Sequence, residues 1–545
     1  MSKMRKINLK IFFLLLYFAI YMNKYIKSDN INWDIYLINK DSIEANMKYI
    51  KELNGIESFE NITSLDLGNN LIENIEPIAD LIQLKEIILT RNKLKSVYYL
   101  KRLINLERLI LAQNEIENTY GLGYLYNLKY LDISHNNLKS IDSLSKLINL
   151  DTITLISNRL VNIDELCDLN RLKEVDASNN QIEDVNCFFD NPYFEKLSFN
   201  FNLLKGIIYL KNITSLRFLE LENNSIIDVY TNPDTSLNLD AIILNSNRIT
   251  SINNIIKINS ITKLYLCNNQ IDNIEKIYVL KNLYNLMLCK NNISDISPLK
   301  NLTGIAGIDL SSNKIINIDG LKNSQNFRSV NLQNNMIEDI KVFYNRLKGI
   351  MYLYMSNNNI KNLNGIENLN LLSTIHLSNN SIKNISLLSY LRNSKKIYLN
   401  NNKIENVEPI SNMAKLVILD LTNNRINNIE SLINLTSLSE LHIGFNNISK
   451  YNFPPKLREM TIDMNQINIF HQKLYYRVSA KKSVSQLTQY KFFELLRINV
   501  IDDQDFIDCE LTLKYSSKNI HLNLNNDNIM VENFINKCRS IDLDF

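Results

Sequence analysis

Apolar side chains recur along most of the chain in a fixed order that ends at an asparagine. Two apolar residues separated by one position are followed, three residues later, by asparagine. Of the eighteen steps between successive asparagines, fifteen are 22 residues long, two are 23 and the last is 19. Such a period is typical of repeat proteins, in which each repeat buries its apolar edge only by stacking on its neighbours. The repeated asparagines are Asn70, Asn92, Asn114, Asn136, Asn158, Asn180, Asn202, Asn224, Asn247, Asn269, Asn291, Asn313, Asn335, Asn358, Asn380, Asn402, Asn424, Asn446 and Asn465.

One repeat is enough to predict its local structure. In residues 416–435 the alternation around Leu419 and Leu421 predicts a short strand. We expect Asn424 to turn inward, where its amide can satisfy backbone groups left unpaired as the chain leaves the strand. Apolar residues then recur every three positions, which favours extended or 3₁₀ turns over a full helix. These residues are Ile426, Ile429, Leu432 and Leu435.

The repeats resemble the leucine-rich repeat family in its 22-residue class. That class is shared by bacterial internalin-like surface proteins and by the regulatory subunit of type-1 protein phosphatase. Proline stands where internalin-like repeats often carry it, in residues 75–81, 296–302 and 407–413. The resemblance implies an α/β leucine-rich repeat solenoid of about nineteen repeats over residues 56–468. It implies a curved right-handed stack, with a parallel sheet on the concave face and short 3₁₀ or extended turns on the convex face.

The first 28 residues are predicted to be a signal peptide or an uncleaved signal anchor. A basic stretch precedes twelve uninterrupted apolar residues at 11–22. Twelve helical residues span about 18 Å, less than the ~30 Å hydrocarbon core, which favours a secretory segment over a membrane span. No small-x-small cleavage site follows, so both the cleaved and the anchored forms remain open.

Two further segments flank the repeats and are predicted to cap them. In residues 29–55, a short amphipathic helix is expected over residues 41–53, because apolar residues recur there at spacings of four and three. In residues 469–545 the period is lost, which predicts a C-terminal cap or a small α/β domain. Alternating residues in 509–515 and 520–524 predict two strands of that domain.

The amino-acid composition favours one structural unit repeated many times over a chain of several different globular domains. The chain of 545 residues has 88 asparagines but only 11 glycines and 7 prolines, whereas glycine and proline usually reach about 7% and 5%. Its mean hydropathy of −0.15 excludes a polytopic membrane protein. The net charge of +3 provides no global field that would attract nucleic acid.

The sequence carries none of the motifs that would indicate an enzyme or a cofactor. The five histidines are far apart in sequence, and HExxH, GxSxG and GxxxxGK[ST] are absent. The six cysteines form no CxxC pair, and they are too sparse for a disulfide scaffold. We therefore predict no catalytic residue, no metal and no cofactor.

The outward positions of each strand are the informative ones for binding, because the fold does not require them to be apolar. Adjacent strands lie about 4.8 Å apart, so apolar residues at equivalent positions of successive repeats form continuous patches. Tyrosine and methionine clusters are typical partner anchors, and acidic positions suit a partner with some positive charge. The predicted partner-binding residues are Ile88, Ile110, Ile243, Tyr265, Met287, Asp309, Tyr352, Tyr354, His376 and Tyr398. Packing between neighbouring strands is the alternative explanation for the aromatic residues.

Two hypotheses of function follow from these observations. The first is a monomeric, non-enzymatic protein, secreted or membrane-anchored, that binds a protein partner on the concave face. The second is a cytoplasmic scaffold, or a regulatory subunit of a type-1-like phosphatase. The basic-then-apolar N-terminus favours the first hypothesis.

Overall fold

The computed structural model describes residues 31–231, 237–344 and 347–463, together with three short strands between 497 and 523. It divides into two compact units, Met1–Gln270 and Ile271–Phe545, which we describe in turn. Among the described residues, no helix is long and apolar enough to cross a membrane. The predicted signal segment, residues 1–28, lies outside the described residues.

Short strands separated by about one repeat build the first unit. β1 and β2 pair antiparallel, while β2–β9, β11, β13 and β14 form one parallel, in-register sheet. β10 and β12 form a separate two-stranded parallel sheet. The strands are β1 (Leu37–Asn39), β2 (Ser42–Glu44), β3 (Ser64–Asp66), β4 (Glu86–Ile88), β5 (Arg108–Ile110), β6 (Tyr130–Asp132), β7 (Thr152–Thr154), β8 (Glu174–Asp176), β9 (Lys196–Ser198), β10 (Lys205–Leu210), β11 (Phe218–Glu220), β12 (Ser225–Thr231), β13 (Ala241–Ile243) and β14 (Lys263–Tyr265).

The second unit repeats the same arrangement. Its strands β15–β23 pair in sequence order, parallel and in register. They are β15 (Asn285–Met287), β16 (Gly307–Asp309), β17 (Ser329–Asn331), β18 (Tyr352–Tyr354), β19 (Thr374–His376), β20 (Lys396–Tyr398), β21 (Ile418–Asp420), β22 (Glu440–His442) and β23 (Glu459–Asp463).

Short 3₁₀ turns lie between the strands, and no α-helix occurs among the described residues. In the first unit they are Trp33–Tyr36, Ile56–Ser58, Glu76–Ile78, Tyr98–Arg102, Leu122–Tyr124, Asp142–Lys146, Asp164–Leu166, Asn186–Asp190 and Ile255–Lys257. In the second they are Ile277–Val279, Ser297–Asn301, Asp319–Leu321, Lys341–Tyr344, Ile366–Asn368, Ser386–Tyr390, Glu408–Ile410 and Glu430–Asn434. The predicted leucine-rich repeat architecture of parallel strands and 3₁₀ turns is confirmed.

The repeated asparagines lie under the sheet and hydrogen-bond backbone groups of two successive coils. Asn180 is typical: its Oδ1 accepts from the N–H of Leu160 at 3.0 Å. Its Nδ2 donates to the carbonyls of Leu155 and Ala177, each also at 3.0 Å. One amide therefore replaces the partners that the backbone loses where each strand ends. Equivalent bonds recur through Asn446, whereas Asn465 lies outside the described residues.

The residue just before each of these asparagines has a left-handed backbone, with φ between 53° and 59° at every one of the eighteen described positions. Asparagine tolerates this conformation better than most residues other than glycine. It occupies nine of these positions, including Asn69, Asn179 and Asn401. The local backbone therefore explains the recurrent Asn-Asn pairs and part of the scarcity of glycine.

The helix predicted over residues 41–53 is wrong. Residues 42–44 form strand β2, which pairs parallel with β3. The buried side chains Ile43, Ile50 and Leu53 occupy the core positions of a further, degenerate coil. Helical spacing and coil spacing coincide at these residues, and Lys48 stands where the repeat has asparagine, which concealed the coil. Asn70 of the next coil compensates, because its Oδ1 accepts from the N–H groups of both Lys48 and Ile50.

Only three strands are described beyond residue 463. β24 (Arg497–Ile501) pairs parallel with β23, and β25 (Glu510–Leu511) pairs antiparallel with β24 and β26 (Leu522–Asn523). β25 and β26 lie within the two segments in which alternation predicts strands. The rest of the predicted C-terminal domain, residues 469–545, lies outside the described residues.

Candidate partner-binding surface

In the three-residue parallel strands of the two units, the middle residue is buried in the core. The first and third residues point outward and most of them are partly exposed. In β18, Leu353 is fully buried, whereas Tyr352 is 40% exposed and Tyr354 is half-buried. We call the third residues of successive strands the central column. All ten predicted binding residues face outward and none is buried: Ile88, Ile110, Ile243, Tyr265, Met287, Asp309, Tyr352, Tyr354, His376 and Tyr398.

Three aromatic rings of the central column stack on one another in the second unit. Because β18, β19 and β20 pair in register, Tyr354 lies beside His376 and His376 beside Tyr398. The ring centroids of Tyr354 and His376 are 4.9 Å apart at 28°, and those of His376 and Tyr398 are 4.1 Å apart at 15°. We call these three residues the ring stack. Their faces are turned toward one another, so a partner would meet ring edges and the phenol hydroxyls.

The environment of two residues of the ring stack, His376 and Tyr398, favours their uncharged forms. Burial lowers the pKa of His376, and the nearby Lys396 ammonium lowers it further. Burial raises the pKa of Tyr398, and the carboxylates of Glu440 and Asp420 add to that effect. Both shifts favour the neutral form, because a partly desolvated group loses hydration when it is charged. The ring stack is therefore a neutral aromatic surface.

The other predicted apolar positions are smaller. Ile88 and Ile110 pair across β4 and β5 in the first unit. Ile243 and Tyr265 pair across β13 and β14 in the same unit. Met287 belongs to the second unit, where it pairs with Asp309. None of these positions forms a stack of rings.

The aspartates of the central column have a local structural role. The Oδ1 of Asp309 accepts from the backbone N–H of Ser311 at 2.8 Å, and its Oδ2 accepts from the Asn331 amide at 2.9 Å. The same bond to the N–H two residues later recurs at Asp66, Asp132, Asp176 and Asp420, at 2.9–3.0 Å. These carboxylates support the chain as it leaves the strand. Their presence therefore does not by itself indicate a basic partner.

Sequence reasoning missed a second pattern, at the position just before each strand of the first unit. There the sign of the charge alternates over eight consecutive coils, and we call these residues the charge ladder. They are Lys85, Glu107, Lys129, Asp151, Lys173, Glu195, Arg217 and Asp240. The alternation is visible in the sequence when this one position is compared between successive 22-residue repeats, but it lies outside the central column.

The charge ladder pairs its own charges. Lys129 lies 2.5 Å from Glu107, Lys173 lies 3.0 Å from Glu195, and Arg217 pairs with Asp240. The hydrogen bond and the charge of Lys129 lower the pKa of Glu107, while Glu195 raises the pKa of Lys173 in the same two ways. Each charge thus has an opposite charge on a neighbouring coil.

One disulfide joins the outer turns of two coils in the first unit. Cys167 and Cys187 are bonded, with their Cα atoms 5.8 Å apart. Together with Asp164 they are the one group of three potential metal ligands among the described residues. Both sulfurs are oxidised in this arrangement, so neither is a thiolate that could bind a metal.

No protein-family model matches this chain, and no curated protein matches it. Solved structures do. The ectodomain of the receptor kinase GASSHO1/SCHENGEN3 from Arabidopsis thaliana is 20% identical, with a TM-score of 0.52 over 75% of this chain and 63% of that chain. The Arabidopsis receptor kinase HAESA is 19% identical, with a TM-score of 0.52 over 80% of this chain and 83% of that chain.

A bacterial protein has the same architecture. The functional domain of InlJ from Listeria monocytogenes is 18% identical, with a TM-score of 0.51 over 66% of this chain and 73% of that chain. At these identities the likeness concerns the fold. The chain therefore has the leucine-rich repeat fold, which it shares with the InlJ domain and with the two plant receptor structures.

Proposed function

We propose that this protein is an exported, non-enzymatic binding protein that holds a protein or peptide partner on the ring stack. The alternative role of the stack is packing between strands, since each stacked aromatic pair stabilises a fold by about 0.5–1.5 kcal/mol. The observation that carries the proposal is the position of the rings. Elsewhere the same column holds Asp132, Thr154 or Ser198 above the same kind of core, so the fold does not require rings there.

The chemistry of the surface suggests what the partner offers. The rings are neutral, and Tyr352 lies beside them with 40% of its surface exposed. Two residues after each ring stands an uncharged polar residue, Ser356, Ser378 or Asn400, and the nearby charges are Lys396, Asp420 and Glu440. An apolar or aromatic partner side chain would bury these ring edges, and partner backbone groups would bond the hydroxyls. HAESA was solved with a peptide hormone and a co-receptor, which illustrates this use of the fold in another protein.

Two features support export. The Cys167–Cys187 disulfide would persist in an oxidising compartment and would be reduced in most cytosols. The N-terminal basic-then-apolar segment is typical of a secretory signal. Fractionation with N-terminal sequencing tests this part: a mature start near residue 28 or a membrane-retained chain supports export. An intact Met1 on a soluble cytosolic protein contradicts it and favours the scaffold or phosphatase-regulator alternative.

Selection of random peptides on the intact chain tests the binding surface. Phage-displayed peptides should bind to the surface that offers the highest affinity. We expect most of the selected peptides to bind at the ring stack. Tyr354→Ser with Tyr398→Ser should weaken their binding at least about tenfold, or ~1.4 kcal/mol. The matched control is Asp132→Ser with Thr154→Ser on the same column of the first unit, which should leave binding unchanged. Peptides that bind both variants equally would contradict the proposal.

A further inference from the structure

A chain of nearly identical coils faces a folding hazard. The middle residues of successive strands, such as Leu131, Ile153 and Val175, are all apolar and fully buried. The structural asparagine below them is the same in every coil. A coil that skipped its neighbour and stacked on the next one would therefore find an equivalent core and equivalent amide bonds. The buried part of the repeat discriminates poorly between these two arrangements.

The charge ladder does discriminate, because its period is two coils. Opposite charges face each other across adjacent coils, whereas coils two apart carry the same sign. We propose that the charge ladder is a register lock, which favours stacking on the true neighbour and opposes stacking that skips a coil. In a skipped arrangement Lys129 would face Lys173, or Glu107 would face Asp151, and every pair that spans the skipped coil would be repulsive.

The backbone holds the ladder residues close enough for this effect. From Glu107 to Asp240, each ladder residue donates its N–H to the carbonyl of the ladder residue one coil earlier, at 2.8–2.9 Å. Coils two apart are about 9.6 Å apart in the native stack, and skipping would bring them to about 4.8 Å. Like charges that the intervening residue now separates would then be direct neighbours.

A second row of charge supports the same reading. The first residues of the strands run in the opposite phase where they are charged, with Glu86 beside Lys85 and Arg108 beside Glu107. Arg108 pairs with Glu86 at 3.0 Å, and its guanidinium lies 4.0 Å from the centre of the Tyr130 ring. Glu174 and Lys196 continue this phase, beginning three coils after Arg108. Charge therefore alternates both along the ladder and across it.

The register lock affects the choice between the native and the skipped stacking more than it affects the stability of the native state. The ladder residues are exposed or partly exposed, so each ion pair alone adds little and is screened by salt. Attraction in the right register and repulsion in the wrong one both apply at the moment of docking, when the cores are equivalent. The position before the strands of the second unit has no such alternation, as Arg328, Met351, Ser373 and Lys395 illustrate.

Two full-length variants with unchanged net charge test the lock. In the patterned variant, Glu107→Lys, Lys129→Glu, Glu195→Lys and Arg217→Glu give a ladder in which coils two apart attract. In the neutral variant, glutamine replaces the same four residues, so that no two charges face each other across coils two apart and only Asp151 and Lys173 remain opposed across adjacent coils. Both are refolded from urea at about 0.01 M and about 1 M salt, where the Debye length is ~30 Å and ~3 Å.

The yield of soluble monomer and limited proteolysis are the readouts. At low salt the patterned variant should refold about threefold worse than the neutral variant, with cleavage inside a looped-out coil, and high salt should restore its yield. Salt also screens the like charges that this variant places on adjacent coils of the native stack, so cleavage inside a looped-out coil is the result that separates misregister from simple instability. Equal yields for the two variants at low salt, or a patterned variant that high salt does not rescue, would overturn the proposal.

Discussion

The charge ladder and the ring stack use the same framework for opposite purposes. Both lie on outward positions of a parallel sheet with the same buried residues and the same asparagine bonds below. In the ladder, six of the eight charged groups form ion pairs with one another across neighbouring coils. In the ring stack, the side chains are neutral and aromatic, and their edges and hydroxyls face outward. A surface whose charges already pair within the protein gains little binding energy from a ligand. A neutral aromatic surface gains binding energy when a partner covers it and removes it from water.

The comparison teaches how to assign roles in a repeat whose core does not vary. Burial and framework residues are equal in both regions, so they carry no information about binding. The outward positions differ, and their chemistry separates positions that serve the stacking of the chain from positions open to a partner. The Asp309 carboxylate belongs to the first kind, because both its oxygens are engaged locally.

The largest expected effect tests whether the framework really is equal under the two regions. Asn180 lies below the charge ladder and Asn380 lies below the ring stack, and each is replaced by alanine. Each replacement removes one acceptor and at least two donor bonds between buried groups. Each should lower the free energy of unfolding by about 3 kcal/mol, measured by urea denaturation. Losses that differ by more than about 1 kcal/mol would break the comparison.

A smaller effect tests the electrostatic character of the ring stack. The pKa of His376 is lower in the folded protein than in the unfolded chain, so the unfolded chain binds protons more readily. The neutral ring therefore contributes stability above about pH 6.5, which is lost as the pH falls through the lowered pKa. His376→Phe should show a smaller fall in melting temperature than the wild type between about pH 7.5 and pH 5.

The matched control is Thr154→Ala, on the third position of β7 in the first unit. It changes no ionisable group, so it should follow the wild-type pH profile. If His376→Phe loses as much stability on acidification as the wild type does, the partial burial of the ring stack has no energetic consequence.

The smallest expected effect concerns a single rung of the charge ladder. Lys173→Gln removes one exposed ion pair with Glu195 and should lower the melting temperature only slightly at low salt, because an exposed ion pair adds little to stability. The difference from the wild type should vanish in about 1 M salt. A large fall in melting temperature that persists in salt would mean that the ladder stabilises the native state directly and is not mainly a discriminating device.

The fold could be predicted from the sequence because the residues that repeat every 22 positions are the ones that the core requires. The strand at Leu419 and Leu421 and the 3₁₀ turns after it follow from local spacing alone. The degenerate coil at Ile43 was not predicted, because Lys48 stands where the 22-residue repeat has its asparagine. The role of the first asparagine in each Asn-Asn pair was not predicted either, because a left-handed backbone at Asn69 or Asn401 is visible only in coordinates.

The surface was less predictable, for a physical reason. Register follows from the 22-residue repeat, so the proximity of Tyr354, His376 and Tyr398 could be predicted. Whether the rings would stack face to face or splay apart depends on side-chain torsions that the sequence does not specify. Ion pairs such as Lys129–Glu107 depend on a position that a search for aromatic residues passes over.

Crosslinking from two matched threonines tests the central claim most directly. Thr374 and Thr152 are the first residues of β19 and β7, both half-buried, beside the ring stack and the charge ladder respectively. A photo-crosslinking amino acid is placed at one or the other, and the peptides selected on the intact wild-type chain are added. We predict crosslinks from position 374 and few from position 152. Crosslinks from position 152 at an equal or higher yield would contradict the assignment of the ring stack as the partner surface.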